Sequence, residues 1–371
     1  MWLTTLEADR LRNLRAVRLS LGSGLTVIAG RNGEGKSSLL EAVYLLSTGR
    51  SFRTRKAEEL IAWSGGPLRV AGVHHGRLGP TEIKVILDGA ERRLIVDGVE
   101  RDQESFLGRL DVVDLTGERM QVLRGAPEER RRFLDRGIVG LRPSYLRSLG
   151  EYRRVLHQRN ALLRRRGKGG GPGFATQLDS WDERLVRAAR EIHAPRRSYA
   201  VHLGAELGET TRALFPGGGE LHLVYRPSPA ALAETEPNDF EQTYAEALER
   251  GRPRDLALGH TCRGPHRDEL AVELDGVDLR RFGSAGQVRS AMIALKLGKL
   301  SRLAKERGET PIFLMDDFDS DIDEVRAEAL ADFLRRGGFQ ALVATSKERM
   351  ADRIGAPFTK VVMTEGTIRT V

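Results

Sequence analysis

The eight residues Gly30-Arg31-Asn32-Gly33-Glu34-Gly35-Lys36-Ser37 constrain this chain more than any other feature. They fit the pattern G-x-x-x-x-G-K-[ST] in the context the pattern requires: the apolar run Leu25 to Ala29 precedes them and a helix-compatible stretch from Lys36 to Leu46 follows. In such a loop successive backbone N–H groups and the helix terminus surround the α- and β-phosphates of a nucleotide, while the lysine reaches the β/γ oxygens. Gly30, Arg31, Asn32, Gly33, Glu34, Gly35, Lys36, Ser37 and Ser38 are therefore the expected phosphate-binding residues, with Ser37 supplying a hydroxyl ligand to Mg²⁺.

A site of this class also needs a carboxylate at the end of a neighbouring buried strand. Only Ile312-Phe313-Leu314-Met315-Asp316-Asp317 places two acids directly after four apolar residues. Asp316 is expected to hold the metal, and Asp317 to orient or deprotonate the attacking water. About 280 residues separate Lys36 from Asp316, far more than a minimal phosphate-loop domain of ~150 residues needs. The nucleotide domain must be assembled from both ends of the chain and interrupted by an insertion.

The elements agree with that plan. Strand alternation marks Thr4 to Ala8 and Val17 to Leu21, and it returns from about Leu68 to Val99 with turn signals at Asp88-Gly89 and Asp97-Gly98, which predicts antiparallel sheet. From Gly117 the pattern becomes helical. Pro127-Glu128-Glu129 is a helix start, and Tyr145, Leu149, Tyr152, Leu156 and Leu163 form an apolar stripe. Arg147, Arg153, Arg154, Arg159 and Arg164 to Arg166 are expected on the opposite, solvated faces. The segment at 167–173 predicts a hairpin tip, and Trp181, Leu185, Ala188, Ile192, Tyr199, Leu203 and Leu207 a returning stripe interrupted by Pro195. The last third alternates helix with short apolar strands, predicting α/β layering around a buried sheet. The expected division is a head from 1–116 and 255–371, with a helical insertion at 117–254.

The chain has 371 residues, 60 Lys plus Arg against 52 Asp plus Glu, and a net charge of +8. With 9 lysines and 51 arginines the basic excess is carried by planar forks suited to phosphates, which favours an acidic partner such as nucleic acid. A single cysteine, Cys262, excludes an intramolecular disulfide and favours a reducing compartment. No signal-peptide pattern opens the chain and no apolar run approaches the ~20 residues of a membrane span, so a cytoplasmic protein with no membrane partner is expected. No zinc-ligand cluster or CxxC pair is present, which leaves Mg²⁺ as the expected metal.

These motifs resemble the ATPase head shared by ABC transporters and chromosome-structure proteins, and within that class the RecF family. The resemblance rests on the loop continuing into Glu41-Ala42-Val43-Tyr44-Leu45-Leu46 and Gly49-Arg50-Ser51-Phe52-Arg53, on Arg131-Arg132-Phe133-Leu134-Asp135, on Tyr152 with Leu156-His157-Gln158-Arg159-Asn160, and on Gly264-Pro265-His266-Arg267-Asp268. It spans nearly the full chain. It implies an α/β fold with an ABC-type phosphate-loop head, an antiparallel β subdomain and an inserted α-helical domain. It also implies a slow ATPase used as a switch, with ATP and Mg²⁺ as cofactors. The family signature appears as Gly283-Ser284-Ala285-Gly286-Gln287, so Ser284, Gly286 and Gln287 are implied to meet the γ-phosphate bound by a second subunit. The glycine at 283 replaces the usual leucine. Ser320-Asp321-Ile322-Asp323 lies at the dimer-contacting loop, and Thr345 stands where a transporter carries a histidine. Arg12 and Asn13 resemble a motif that contacts the nucleotide near its base. A homodimer formed on ATP, double-stranded, gapped or junction DNA, and the proteins RecO, RecR and RecA are the implied partners. Two other functions fit less well. A structural chromosome tether needs longer coiled-coil arms, and a transporter ATPase subunit needs a membrane partner and a smaller insertion.

Overall fold

A computed structural model describes residues 1–54, 56–116, 121–165, 173–214, 218–318, 324–346 and 357–370. The chain opens with β1 (Trp2–Asp9), β2 (Ala16–Ser20), β3 (Leu25–Ala29) and α1 (Lys36–Thr48). Four strands follow, β4 (Leu68–Gly76), β5 (Gly79–Asp88), β6 (Glu91–Val96) and β7 (Val99–Arg101), then α2 (Gln103–Phe106) and β8 (Val112–Leu115). The helical part comprises α3 (Gln121–Arg124), α4 (Pro127–Leu141), α5 (Tyr145–Arg165) and α6 (Phe174–Leu214), then β9 (Leu221–Arg226), α7 (Phe240–Leu258), β10 (Glu269–Leu274), β11 (Val277–Asp278) and α8 (Leu279–Phe282). The chain closes with α9 (Ala285–Arg307), β12 (Ile312–Met315), α10 (Glu324–Arg336), β13 (Ala341–Thr345), β14 (Phe358–Thr364) and β15 (Thr367–Thr370).

Two compact units result, one of 1–120, 206–220 and 285–371, the other of 121–205 and 221–284. The first holds two six-stranded sheets. One is antiparallel in the order β2-β1-β4-β5-β6-β7; the other runs β15-β14-β3-β13-β12-β8, with every strand parallel except the edge strand β15. The strands of the parallel core are short apolar runs because both faces are covered. From Ser38 to Ser47 every residue of α1 is buried, and one core joins it to both sheets through Leu39, Leu45, Leu46, Ile83, Leu314 and Leu342. Gln340 ties the sheets by polar contacts: its Nε2 donates to the carbonyls of Leu3 at 2.8 Å and Gly22 at 2.7 Å, while its Oε1 accepts from the Leu3 N–H at 2.7 Å.

The second unit packs helices around the three-stranded sheet β11-β10-β9. The expected boundary at 254/255 is displaced. Residues 255–284 belong with the helices, because β10 pairs along its length with β9 and because Asp255 and Asp268 are buried ion-pair partners of helix arginines. The turn at Asp275-Gly276, with φ of 50° and 79°, closes the β10–β11 hairpin in the left-handed geometry such a pair adopts.

Two helical expectations are corrected. Pro195 does not interrupt the returning helix, since α6 runs 41 residues through it. The turn survives the missing N–H because Ile192, His193, Arg196 and Tyr199 around it are all buried. Arg159 is not on a solvated face; it is wholly buried, donating to Asp182 at 2.5 Å, Asp255 at 2.7 Å and Thr261 Oγ1 at 2.8 Å. The stripe runs Tyr145, Leu149, Tyr152, Val155, Arg159, so Val155 is buried in the place expected for Leu156, which is only half-buried. Beyond it Leu162 and Leu163 of α5 meet Leu178 and Trp181 of α6 and Leu256 of α7. The expected hairpin tip at 167–172 and Arg166 lie outside the described residues. Burial pushes the imidazoles of His193 and His266 down to about 4, so both are neutral at pH 7.

Candidate functional site

In the parallel sheet β13 lies between β3 and β12, so the acid pair is on the next strand but one from the phosphate loop. Parallel pairing brings the carboxyl ends of all three strands to one edge, the usual ligand edge of such a sheet. The loop after β3, Thr345 ending β13 opposite Ala29, and Asp316-Asp317 after β12 all lie there. The loop follows a path only glycine tolerates at two points. Gly30 has φ 156° and a Cβ there would sit 2.7 Å from the Met363 carbonyl; Gly35 has φ 105° and its Cβ would meet Leu14 at 2.8 Å.

Lys36 is 5% exposed and lies across this loop, its Nζ donating to the carbonyls of Gly30 at 2.7 Å and Arg31 at 2.9 Å. No side chain caps the amino end of α1, which leaves its N–H groups and positive dipole end facing the cleft. Glu34 braces the loop by accepting from the Arg31 N–H at 2.8 Å.

Asn13 is engaged at both ends: its Nδ2 donates to the Gly33 carbonyl at 2.7 Å and its Oδ1 accepts from Ser38 Oγ at 2.8 Å. Arg12 is held as firmly, donating to Glu41 through Nε at 2.5 Å and Nη2 at 3.1 Å, and to the Glu59 carbonyl at 3.3 Å. Both residues line the cleft, with these groups already engaged by the protein's own acceptors and donors. Glu41 is a residue to which sequence reasoning assigned no role. It is fully buried and also accepts from Ser51 Oγ; its signals are a lone acid inside the apolar run of α1 and its place in the segment that carries the family resemblance.

Asp316 is 7% exposed; burial raises its pKa, while a hydrogen bond with Ser37 opposes the rise. The hydroxyl and carboxylate oxygens expected to share a cation are thus neighbours. Asp317 is exposed with φ 52°, and its N–H donates to Asp316 Oδ1 at 3.1 Å. A cleft of about 1080 Å³ is lined by Asn32, Gly33, Gly35 to Ser38, Arg53 and Asp317, together with Arg10, Arg12 to Ala16 and Ile61 to Ser64. Arg53, which entered only through the family resemblance, and Trp63, which no motif singled out, are further cleft residues.

Ser284, Gly286 and Gln287 are exposed at the start of α9 and do not line this cleft. Gly283 accepts a hydrogen bond from Arg124 Nη2 at 2.8 Å through its carbonyl. Residues Ser320 to Asp323 lie outside the described residues.

Two six-stranded sheets, a phosphate loop and an acid pair at one sheet edge, and a helical insertion define an ABC/SMC-type P-loop ATPase head. Residues 6–119 match the AAA domain family. The chain is 36% identical over 355 residues to the DNA replication and repair protein RecF of Gloeobacter violaceus, covering 95% of this chain and 94% of that one. Against the RecF of Myxococcus xanthus it is 33% identical over 353 residues, covering 93% and 91%. The chain belongs to the RecF family. A solved structure described as the recombination mediator protein RecF with ATPrS in the RecFOR pathway superposes with a TM-score of 0.88 at 28% identity, covering 100% of this chain and 98% of that one. The Smc head domain of Pyrococcus furiosus gives a TM-score of 0.58 at 17% identity over 100% and 96% of the two chains, a likeness of fold alone.

Proposed function

We propose that this chain is an ATP-driven recombination mediator that dimerises on ATP, binds duplex DNA beside single-stranded gaps and, with RecO and RecR, helps load RecA. The observation that carries the reading is the meeting of the phosphate loop, Thr345 and Asp316-Asp317 at one sheet edge in a chain with the family's full-length likeness. Ser37 and Asp316 form a paired set of oxygen donors that fits Mg²⁺, a cation that takes few protein ligands and completes its shell with water and phosphate. When bound it would neutralise charge on the β/γ-phosphates. Lys36 holds the same phosphates, and Asp317 orients the attacking water. Ser284, Gly286 and Gln287, exposed and not among the residues lining this chain's own cleft, suit the role of closing the site of a second copy.

Asp317→Asn tests the chemistry. An amide cannot accept the water's proton, so turnover should fall roughly hundredfold or more, with ATP affinity retained and the ATP-bound dimer accumulating. Unchanged turnover with lost binding would reverse the roles given to Asp316 and Asp317.

Sedimentation with a gapped duplex, in ATP and then in ADP, tests dimerisation and DNA engagement together; equal DNA binding by monomer in both states would overturn the switch. Arg153, Arg154, Arg164 and Arg165 are exposed on α5, with Arg154 also paired to Glu151. Changing all four to Gln should flatten log affinity against log salt by about 0.9 for each DNA phosphate that is no longer neutralised, with dimerisation kept. A wild-type slope would put the DNA surface elsewhere. Among the described residues no helix is long and apolar enough to cross a membrane.

A further inference from the structure

We propose that Trp63 is the surface on which the base of the bound nucleotide stacks, which makes this wall of the cleft a purine-preferring subsite. The inference rests on the reading of the phosphate loop as a nucleotide site and adds what recognises the other end of the ligand. The indole is 105% exposed, the most exposed large apolar side chain among the described residues, yet it lines the same cleft as Lys36, Ser37 and Asp317. Leaving a tryptophan in water forgoes the burial of about 150–250 Å² of ring surface, and in a cleft the natural remedy is a flat ligand.

The backbone holds that wall in place. Leu11 and Ile61 form a β-bridge; the Arg12 N–H donates to the Leu60 carbonyl at 2.7 Å and the Ala62 N–H to the Arg10 carbonyl at 2.9 Å. Gly65 N–H then donates to the Ala62 carbonyl at 3.0 Å, closing a turn that presents Trp63. Trp63 therefore stands on a segment clamped to the stretch after β1 that braces the phosphate loop through Asn13. The cleft volume, about 1080 Å³, meets the upper end of the roughly 300–1,000 Å³ of ligand pockets, so a whole nucleoside triphosphate has room beyond its phosphates.

Edge recognition by Arg12 and Asn13 is limited by contrast. The amide of Asn13 and the guanidinium of Arg12 already bond to Gly33, Ser38, Glu41 and Glu59. Face contact then carries the base. Stacking of this kind tolerates either purine and favours the larger ring system over a pyrimidine.

The test uses the full chain with ATP, CTP and inorganic tripolyphosphate as probes. In a Trp2→Phe, Trp181→Phe background Trp63 is the sole tryptophan, and ATP should quench its fluorescence while tripolyphosphate leaves it nearly unchanged. Trp63→Ala should weaken ATP about tenfold, narrow the gap between ATP and CTP, and leave tripolyphosphate affinity as in wild type; Trp63→Phe should restore most of the loss. If tripolyphosphate binds and displaces ATP but Trp63→Ala leaves ATP affinity unchanged, the stacking role is overturned while the phosphate site stands. If tripolyphosphate and ATP both fail to bind the unaltered chain, the nucleotide-site reading itself is lost. Unchanged monomer affinity combined with loss of ATP-dependent dimerisation in Trp63→Ala would assign the indole to the contact with a second copy and overturn the proposal.

Discussion

Lys36→Ala is expected to lower ATP affinity about a hundredfold and to remove hydrolysis. The ammonium is placed by its bonds to Gly30 and Arg31, at the mouth of α1 where the phosphates are expected. A hydrogen bond from a charged donor contributes about 1.5–3 kcal/mol, and the lysine offers such donors to the most highly charged part of the ligand. The loss of ~3 kcal/mol corresponds to a factor of about 150. Folding should survive, because Lys36 itself lines the cleft, so truncating it lets water reach the freed carbonyls. Calorimetric titration with ATP, alongside a thermal melt of each protein, separates the effects. Wild-type affinity in a folded Lys36→Ala chain would remove the phosphate loop from the site. Asp317→Asn gives the complementary pattern, with binding retained and turnover lost, so the two variants distinguish positioning of phosphate from activation of water.

The head was legible because its information is local. An apolar run, a glycine-rich loop and a helix in succession specify β3, the phosphate loop and α1 from contiguous residues, and Ile312 to Asp317 does the same for β12 and its acids. Family resemblance added the signature at Ser284, Gly286 and Gln287, which lie exposed around the start of α9. Long-range features were hidden. The pairing of β9 with β10 joins Leu221 to Leu274 and moves the unit boundary, and no local pattern announces it. Buried charge was the other failure. A helical arginine is assigned to solvent by default, as Arg159 was, unless its acids are known, and Asp182 and Asp255 lie 23 and 96 positions away. Arg12 illustrates the same limit within the site, since its partner Glu41 is hidden in the apolar run from Leu39 to Leu46.

Arg196→Met should unfold or severely destabilise the helical unit, by about 3–5 kcal/mol, the usual cost of removing one partner from a buried ion pair. The guanidinium is 5% exposed at its side chain and holds two carboxylates at once. Its Nε and Nη2 form a fork on Asp135 at 2.9 and 3.0 Å, and Nη1 donates to Asp268 Oδ2 at 2.9 Å and to the Pro265 carbonyl at 2.6 Å. Tyr145 donates to Asp135 at 3.1 Å and Tyr225 to Asp268 at 2.6 Å. The cluster joins α4, α5, α6, β9 and the segment leading into β10. Methionine keeps much of the volume but leaves two buried carboxylates with hydroxyl and amide donors only. Burial already raises the pKa of Asp268, and Arg196 is the leading influence that lowers it, so the variant's Asp268 should rise further. An acid whose folded pKa is raised confers stability that is present below its unfolded pKa and lost as pH rises through the folded value. The destabilisation should therefore be smaller at pH 5 than at pH 8, which a packing defect alone would not produce. Denaturant melts of Arg196→Met at both pH values, with the exposed Arg153→Met as control, measure the effect; an equal loss at both would assign Arg196 to packing rather than to charge.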